Sequence, residues 1–301
     1  MNDAPDNITS PAHPVTRRKD RIRVATTQLY YPNGEGALAP TLEYIARAGH
    51  DGCDLIAFPE YHLGHVTNPG PQLDAVAKAA ASAQTNVIIG AWEDFPDGTF
   101  ANTAFVFDRS GALVGRYCKT HAAVGGPPHS WPPFDDQEEW HMKLGEGFPV
   151  FDLDFGTVGV MTCYDGYFPE SSHCLALNGA ELIVWINGRC GSVEDFLVKA
   201  YMWTGFVHMV TANQSTGAGT MIGTYPWDIL CATRDANLDF YLTADLDMAK
   251  LREHRVWSRM FHQRRPELYT AIAQRHAIWQ NYPDMEQPPT LEQLTAAKKT
   301  K

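Results

Sequence analysis

The sequence predicts an α/β protein built on two stacked β-sheets, with helices covering the outer face of each sheet. Two patterns lead to this prediction. Over residues 22–92, apolar runs of strand length alternate with segments of helical periodicity, which is typical of βαβ units. Over residues 96–118, apolar runs follow turn signals such as Pro96-Asp97-Gly98 and Arg109-Ser110-Gly111, which are typical of antiparallel hairpins.

The predicted strands are short apolar runs bounded by turn-forming residues. They are expected at residues 22–29, 54–58, 87–92, 102–107, 113–118, 148–153, 157–161, 181–186 and 208–212, with further strands within 221–231 and 238–246. The predicted helices show helical apolar periodicity or an Ala-rich composition. They are expected at residues 37–50, 71–83, 169–177, 194–207, 248–254 and 266–279. Pro71 and Pro169 near a first turn, and Gly179 after a last turn, support these helix ends.

Length, composition and charge exclude several classes of protein. The chain has 301 residues, of which 44% are hydrophobic, so it can bury a sizeable core. A formal net charge of −11 argues against a nucleic-acid-binding protein, whose surface would be basic, and against attraction to an anionic membrane. No apolar run approaches about 18 residues, so no transmembrane helix is expected.

The chain ends and the cysteines predict a cytoplasmic protein. Residues 1–20 are polar and proline-rich, lack the apolar stretch of a secretory signal, and are expected to be disordered. The six cysteines have no short Cys-x-x-Cys spacing, so we expect reduced thiols and neither a disulfide framework nor a zinc site. Residues 281–301 form a polar tail, which leaves residues 21–280 as the folded domain.

The most informative stretch is residues 156–185, in which a strand, a tight turn and a helix are expected to follow one another. Cys163 comes at the end of the strand, and the turn Tyr164-Asp165-Gly166 follows it. A nucleophile on such a corner is exposed at the sheet edge and faces helix N–H groups, which favour its thiolate. Taken alone, a free cysteine such as Cys163 is more often a small buried hydrophobic residue than a nucleophile.

Two charged residues follow other predicted strands. Glu60 comes after the apolar run that ends at Phe58-Pro59, and Lys119 follows the run of residues 113–118. Either could be a surface charge at a strand end. Because α/β sites form at the carboxyl ends of strands, a carboxylate, an amine and a thiol can also converge there on one site.

These three segments resemble the motifs of the nitrilase superfamily of carbon–nitrogen hydrolases. Phe58-Pro59-Glu60 is similar to its Glu motif, Tyr117-Cys118-Lys119 to its Lys motif, and residues 159–165 to its Cys motif, and the likeness extends over about residues 21–269. The resemblance implies a four-layer αββα sandwich. It also implies a homodimer or higher homo-oligomer, in which helix faces pack together and C-terminal tails cross to the partner.

The resemblance also implies a role for each site residue. Cys163 would attack an amide carbon, Glu60 would transfer protons, and Lys119 with the backbone N–H of Tyr164 would stabilise the oxyanion. The reaction would pass through a thioester and need no metal or other cofactor. A second family glutamate orients the substrate, and counting back from Gly145 favours Glu138 for this role over Glu139. Both glutamates could instead be solvated loop charges.

The residues after Cys163 bear on the bond that is cleaved. Family members that split nitriles usually have Cys-Trp-Glu, and members that hydrolyse N-carbamoyl amino acids usually have an arginine two or three residues past the cysteine. Here those two positions hold Asp165 and Gly166. Residues 163–170 are closer to the aliphatic amidase pattern, which favours a small neutral amide as the substrate.

One stretch favours a carboxylate-bearing substrate instead. In Asn187-Gly188-Arg189, the guanidinium could pair with a substrate carboxylate, although a structural salt bridge explains it equally well. Asn187 and Tyr61 are further candidates for substrate binding. The aromatic and histidine residues near the site have no catalytic role assigned and could line the entrance or pack: His62, His65, His121, His129 and Trp131.

Three other functions therefore remain open. The first is an N-carbamoyl amino acid or ureido acid amidohydrolase. The second is a non-catalytic binding or filament-forming protein on the same fold, although the joint presence of Glu60, Lys119 and Cys163 counts against it. The third is an acyl transferase that passes the thioester to an amine.

Overall fold

A computed structural model describes residues 18–125, 131–132 and 137–298. The predicted disorder of residues 1–20 therefore falls mostly outside the described residues. In chain order, the strands of the described residues are β1 (Arg21–Gln28), β2 (Leu55–Ala57), β3 (His65–Thr67), β4 (Asn86–Asp94), β5 (Phe100–Phe107), β6 (Leu113–Cys118), β7 (Val150–Leu153), β8 (Gly156–Thr162), β9 (Leu182–Ile186), β10 (His208–Ala212), β11 (Met221–Thr224), β12 (Asp228–Ala232) and β13 (Phe240–Asp247).

The α-helices of the described residues are α1 (Leu38–His50), α2 (Pro71–Ala83), α3 (Pro169–Leu177), α4 (Asp195–Gly205), α5 (Met248–Val256), α6 (Arg259–His262) and α7 (Leu291–Lys298). The first five lie close to the positions that the sequence predicts. Helices α6 and α7 are not predicted, and α7 lies in the segment that the sequence predicts to be a polar tail. Short 3-10 turns occur at Pro32–Gly34, Glu138–Trp140, Cys163–Tyr167, Pro266–Leu268 and Ile278–Asn281. No helix among the described residues has the length and apolar character needed to cross a membrane.

The described residues form two structural units. The first unit consists of residues 18–121 and 142–257 and contains both sheets and helices α1 to α5. The second unit consists of the described parts of 122–141 and 258–301, with α6 and α7. The predicted domain bounds of 21–280 stay a prediction.

Each sheet combines parallel and antiparallel pairing, as the two sequence patterns predict. The first sheet has the order β13-β1-β2-β4-β5-β6, with β3 also paired to β4, and the second has the order β12-β11-β10-β9-β8-β7. Strands β1, β2 and β4 are parallel, and so are β8, β9 and β10. The hairpin strands β5, β6, β7 and β11 pair antiparallel to their neighbours.

Alternate residues of the central strands belong to separate core clusters. On β4, Ile88 packs in the core between the sheets, whereas Val87 and Ile89 pack with residues of α1 and α2. On β9, Val184 belongs to the same inter-sheet core, whereas Trp185 packs with residues of α3 and α4. This alternation with a period of two residues makes both faces of each sheet buried. The predicted four-layer αββα sandwich is confirmed.

The predicted helix at residues 266–279 is wrong. The structure has 3-10 turns at Pro266–Leu268 and Ile278–Asn281, with non-helical chain between them. A helix of this length depends on burying its apolar face. Ile272 and Ile278 are 61% and 64% exposed, so apolar periodicity is not matched by burial in this segment.

Ion pairs connect the elements at the amino ends of the parallel strands. Arg109 lies 2.9 Å from Asp54, which precedes β2, and 2.9 Å from Asp154, which precedes β8. Arg252 on α5 donates from Nε to Glu181, which precedes β9, over 2.8 Å. These ion pairs occupy the edge where the parallel strands begin. The candidate site lies at the opposite edge, where the parallel strands end.

Candidate active site

Glu60 and Lys119 form a buried ion pair at the carboxyl edge of the first sheet. Nζ of Lys119 donates to Oε1 of Glu60 over 3.0 Å, and neither side chain is exposed. Nδ2 of Asn102, on β5, donates to the same oxygen over 2.6 Å. Buried charges require such pairing, and the pairing fixes the position of both groups. The structure thus brings together two of the three residues that the sequence predicts to be catalytic.

Cys163 occupies the predicted corner between a strand and a helix. It directly follows β8, begins the 3-10 turn Cys163–Tyr167, and is followed by α3 from Pro169. Its φ of +44° lies in the left-handed region, which residues other than glycine rarely adopt. Such backbone conformations persist where the surroundings impose them, and they are concentrated at functional sites.

Backbone contacts connect the Cys163 edge of the second sheet to the Glu60 edge of the first. Thr162, just before Cys163, is in register with Ile186 at the end of β9. Asn187 follows Ile186, and its carbonyl oxygen accepts a hydrogen bond from the backbone N–H of Glu60 over 3.4 Å. The carboxylate, the amine and the thiol therefore lie at one edge of the sandwich.

Asp165 connects the turn of Cys163 to the segment that carries Lys119. Its buried carboxylate accepts hydrogen bonds from the hydroxyl of Tyr117 over 2.7 Å and from the backbone N–H of His121 over 3.0 Å. It also accepts from the backbone N–H of Thr162 over 3.0 Å. Lys119 lies between Tyr117 and His121 in the chain, so one carboxylate contacts both the segment of Cys163 and the segment of Lys119.

The carboxylate of Asp165 is ionised in spite of its burial. Burial alone would raise the pKa, but the hydrogen bonds from His121 and Tyr117 outweigh it and lower the pKa of Asp165 below its usual value. This role of Asp165 is not among the sequence predictions. The available signal was the capping-box spacing of Thr162 and Asp165, of which the structure forms the hydrogen bond from the backbone N–H of Thr162 to Asp165.

The guanidinium of Arg189 is paired within the first unit. It contacts the carboxylate of Glu194, donates to the hydroxyl of Tyr167 over 3.1 Å, and donates to the carbonyl oxygen of Cys163 over 3.2 Å. The rings of Tyr167 and Trp185 each lie 4.8 Å from its central carbon. The side chain is only 9% exposed. An internal ion pair is therefore present, and contact of Arg189 with a substrate carboxylate stays a prediction.

Asn187 and Tyr61 take part in packing around Glu60. The amide of Asn187 is buried and donates to the carbonyl oxygen of Trp185 over 2.8 Å. The ring of Tyr61 stacks on Trp92 with 4.5 Å between the ring centroids. A Cβ on Gly188 would lie 2.9 Å from Oε2 of Glu60, so this close approach requires a glycine. Substrate binding by Asn187 and Tyr61 stays a prediction.

Glu138 and Glu139 belong to the second unit. They begin the 3-10 turn Glu138–Trp140, where Glu138 is exposed and Glu139 is buried. Glu139 accepts a hydrogen bond from the backbone N–H of Ala123. The substrate-orienting role predicted for Glu138 stays a prediction. His129 and much of the surrounding loop lie outside the described residues.

No cluster of three or more His, Cys, Asp or Glu side chains in the described part of the chain could hold a metal ion. The described groups with evident chemistry are the Lys119–Glu60 pair and Cys163. A fixed carboxylate beside an amine can transfer protons, and an amine can stabilise a developing negative charge.

The sequence model of the carbon–nitrogen hydrolase family matches residues 21–255. A probable nitrilase of Schizosaccharomyces pombe is 30% identical over 246 residues, which are 73% of this chain and 85% of that protein. A citrullinase of Francisella tularensis is 24% identical over 292 residues, 85% of this chain and 99% of that protein. A formamidase of Bacillus cereus is 29% identical over 188 residues, 56% of this chain and 53% of that protein.

The fold is similar to that of solved carbon–nitrogen hydrolases. The crystal structure of a carbon–nitrogen hydrolase from Helicobacter pylori superimposes with a TM-score of 0.70 and 18% sequence identity. The superposition covers 85% of this chain and 99% of that chain. At this level of identity, the likeness concerns the fold.

Proposed function

The chain belongs to the carbon–nitrogen hydrolase family, and on that basis we propose that it is an amidase that converts a small neutral amide to the acid and ammonia through a thioester on Cys163. The observation that carries the proposal is the buried ion pair of Lys119 and Glu60, with 3.0 Å between Nζ and Oε1. It lies at the edge of the sandwich where Cys163 follows β8 with a left-handed backbone conformation. A thiol, a proton acceptor and a cation are the groups that amide hydrolysis through a thioester needs.

In the proposed first half-reaction, the sulfur of Cys163 attacks the amide carbon while Glu60 accepts the thiol proton. The amide oxygen becomes an oxyanion, which Nζ of Lys119 and the backbone N–H of Tyr164 stabilise. The C–N bond then breaks, and Glu60 returns the proton to the departing nitrogen. Ammonia leaves, and the acyl group remains on Cys163 as a thioester.

In the second half-reaction, water replaces ammonia. Glu60 accepts a proton from the water molecule, whose oxygen bonds to the thioester carbon, and Lys119 again stabilises the oxyanion. The C–S bond then breaks, the acid is released, and the proton returns to the sulfur of Cys163. The free enzyme is regenerated without a net change in its charge or its redox state.

Two observations support a neutral substrate. The positions after Cys163 where carboxylate-binding relatives carry an arginine hold Asp165, whose oxygens are engaged by Tyr117 and His121, and Gly166. Arg189, the nearby alternative, already contacts Glu194. Because bidentate recognition of a carboxylate needs an available guanidinium, this arrangement favours an amide without a carboxylate.

A ureido acid is the second candidate substrate, and one observation favours it. The Francisella relative is named for citrulline, which is a ureido acid, and its similarity covers 85% of this chain. In that reaction, the bond between the carbonyl carbon and the substituted nitrogen would break first, which releases the amino acid's amine and leaves a carbamoyl group on Cys163 as a thiocarbamate. Its hydrolysis would give carbamic acid, which decomposes to ammonia and carbon dioxide. The formamidase of Bacillus cereus is instead named for formamide, which is a neutral amide. Its similarity covers only 56% of this chain.

The decisive measurement is ammonia release from a panel of neutral amides, ureido acids and nitriles, with Cys163→Ala as the blank. We expect turnover of neutral amides and its complete loss in the blank. Turnover confined to ureido acids would replace the first candidate by the second. Ammonia release that persists in Cys163→Ala would rule out the thioester route for either candidate.

A further inference from the structure

We propose that Arg189 is a positioning residue for the nucleophile. It would bind the carbonyl oxygen of Cys163 and so keep a positive charge next to that residue. The inference rests on the proposed function, because it concerns the same nucleophile. It gives Arg189 a role in the reaction of every substrate, in contrast to the recognition of carboxylate-bearing substrates alone.

The first step of the argument is the backbone of Cys163. Its left-handed φ of +44° is sparsely populated by non-glycine residues and persists only where neighbouring groups fix it. Its carbonyl oxygen accepts two hydrogen bonds, from Nε1 of Trp185 over 2.9 Å and from Nη2 of Arg189 over 3.2 Å. Two side-chain donors therefore determine the direction of the peptide group that follows the nucleophile.

The second step is the rigidity of Arg189 itself. The central carbon of its guanidinium lies 4.8 Å from the ring centroids of Tyr167 and of Trp185, and the guanidinium contacts Glu194. Its backbone N–H donates to Oδ1 of Asn213 over 3.0 Å. A planar guanidinium held by two rings and a carboxylate loses little further freedom when it binds a carbonyl oxygen. It can thus transmit a fixed position to Cys163.

The third step is electrostatic. Burial disfavours the charge of Arg189, but the negative charges of Cys163 and Glu194 more than compensate, and the pKa of Arg189 is raised. The guanidinium therefore stays protonated. Because the interaction is mutual, a guanidinium held 3.2 Å from the carbonyl oxygen of Cys163 favours the thiolate form of that residue over the thiol.

The test is the rate of alkylation of Cys163 by iodoacetamide as a function of pH, resolved by peptide mass spectrometry from that of the other cysteines. Relative to wild type, Arg189→Gln should label about tenfold more slowly near pH 7, with its profile displaced to higher pH. Its kcat for a neutral amide should fall about tenfold with little change in KM.

The matched control is Arg252→Gln, which removes another Arg–Glu pair of the first unit, at the amino end of β9. We expect a lower melting temperature for this variant and an unchanged labelling profile. Arg189→Lys keeps the charge but lacks the planar fork. It should label faster than Arg189→Gln, by about threefold, and should still show a reduced kcat.

Labelling of Arg189→Gln at the wild-type rate would overturn the inference, and so would a loss confined to ureido acids and expressed as a higher KM. Equal labelling of Arg189→Lys and Arg189→Gln would also overturn it. If Arg189→Gln does not fold, an Arg189→Lys variant with the kcat of wild type would overturn the inference. Failure of the proposed function gives a different result, namely wild-type Cys163 that labels no faster than the other cysteines.

Discussion

Gly166 packs directly against the indole of Trp185, so that a Cβ on Gly166 would stand 2.0 Å from the ring. The same indole donates from Nε1 to the carbonyl oxygen of Cys163. The turn after Cys163 therefore packs against Trp185 through its backbone. An arginine at position 166 is incompatible with this packing.

The first prediction concerns this contact. Gly166→Ala should lower the free energy of unfolding by about 1–3 kcal/mol, because the added methyl group must displace Trp185 or the turn. It should also reduce kcat, because a displacement of Trp185 or of the turn would disturb the hydrogen bond from Trp185 to the carbonyl oxygen of Cys163. Urea denaturation and ammonia release measure the two effects.

Gly147→Ala is the matched control, because a Cβ at Gly147 meets no atom within 4 Å. It should leave stability and kcat close to wild type. A Gly166→Ala variant as stable and as active as Gly147→Ala would contradict the packing argument. Shortening the indole in the double variant Gly166→Ala, Trp185→Leu should recover little activity, because the donor to Cys163 is then lost.

The second prediction uses the buried ion pair. Lys119→Met leaves the buried carboxylate of Glu60 without its cation, which should cost about 3–5 kcal/mol of stability. The double variant Lys119→Met, Glu60→Gln removes both charges and should regain part of that stability. Neither variant should release ammonia, because each lacks a group that the chemistry requires.

A double-mutant cycle in urea checks this prediction. The cycle compares the double variant with the single variants Lys119→Met and Glu60→Gln. If the losses in the free energy of unfolding of the two single variants simply add in the double variant, Glu60 and Lys119 do not stabilise each other. Lys143→Met is a suitable control. It removes an exposed lysine paired with Asp97 at 2.9 Å and should change stability by less than about 1 kcal/mol.

The sequence predicted what depends on local patterns. The corner around Cys163 follows from an apolar run, a polar turn and Pro169, all within a few residues of each other. The partners of Asp165 could not be found in this way, because Tyr117 is 48 positions away in the chain and His121 is 44 away. These contacts arise only when the ends of β6 and β8 meet across the sandwich.

The difference between local patterns and long-range contacts also explains why the surroundings of Arg189 were not predicted and why the helix predicted at residues 266–279 does not form. The sequence left two roles open for Arg189, and only the fold brings the rings of Tyr167 and Trp185 to 4.8 Å from its guanidinium carbon. The segment 266–279 has helical periodicity, but its apolar residues are not buried in the second unit. Periodicity shows which face could be buried, and the fold determines whether it is.

The third prediction concerns acid sensitivity. His208 is buried, and burial lowers its pKa from 6.5 to about 4. Its Nδ1 accepts the backbone N–H of Tyr225 over 3.2 Å, so protonation would place two donors against each other. Between the two pKa values the unfolded chain binds a proton and the folded chain does not, so stability is lost as the pH falls from about 6.5 towards 4.

Urea unfolding between about pH 7.5 and pH 5 measures this loss, which should be of the order of 1–2 kcal/mol for His208 alone. His208→Gln cannot be protonated and should show a smaller loss over the same range. His62, whose pKa burial lowers to about 3, remains in that variant and keeps part of the effect. Equal losses in wild type and His208→Gln would contradict the assignment.

The last prediction concerns self-association. We propose that the chain forms a homodimer or larger homo-oligomer through the outer face of α4. Phe196 and Trp203 lie on one side of this helix, 64% and 43% exposed, and the ring centroid of Trp203 is 5.0 Å from that of Trp227, which is 51% exposed. Exposed aromatic residues grouped on one helix side mark an interaction site more often than scattered single residues do.

Placing a charge in that surface should therefore dissociate the oligomer. We expect Trp203→Glu to lower the molar mass measured by light scattering after size-exclusion chromatography to that of one chain, because a buried carboxylate without a partner opposes association. Leu113→Glu changes an apolar side chain of the first sheet with similar exposure, 39%, and should leave the mass unchanged. A wild-type protein that elutes as one chain would contradict the proposal, and so would a Trp203→Glu variant with the wild-type mass.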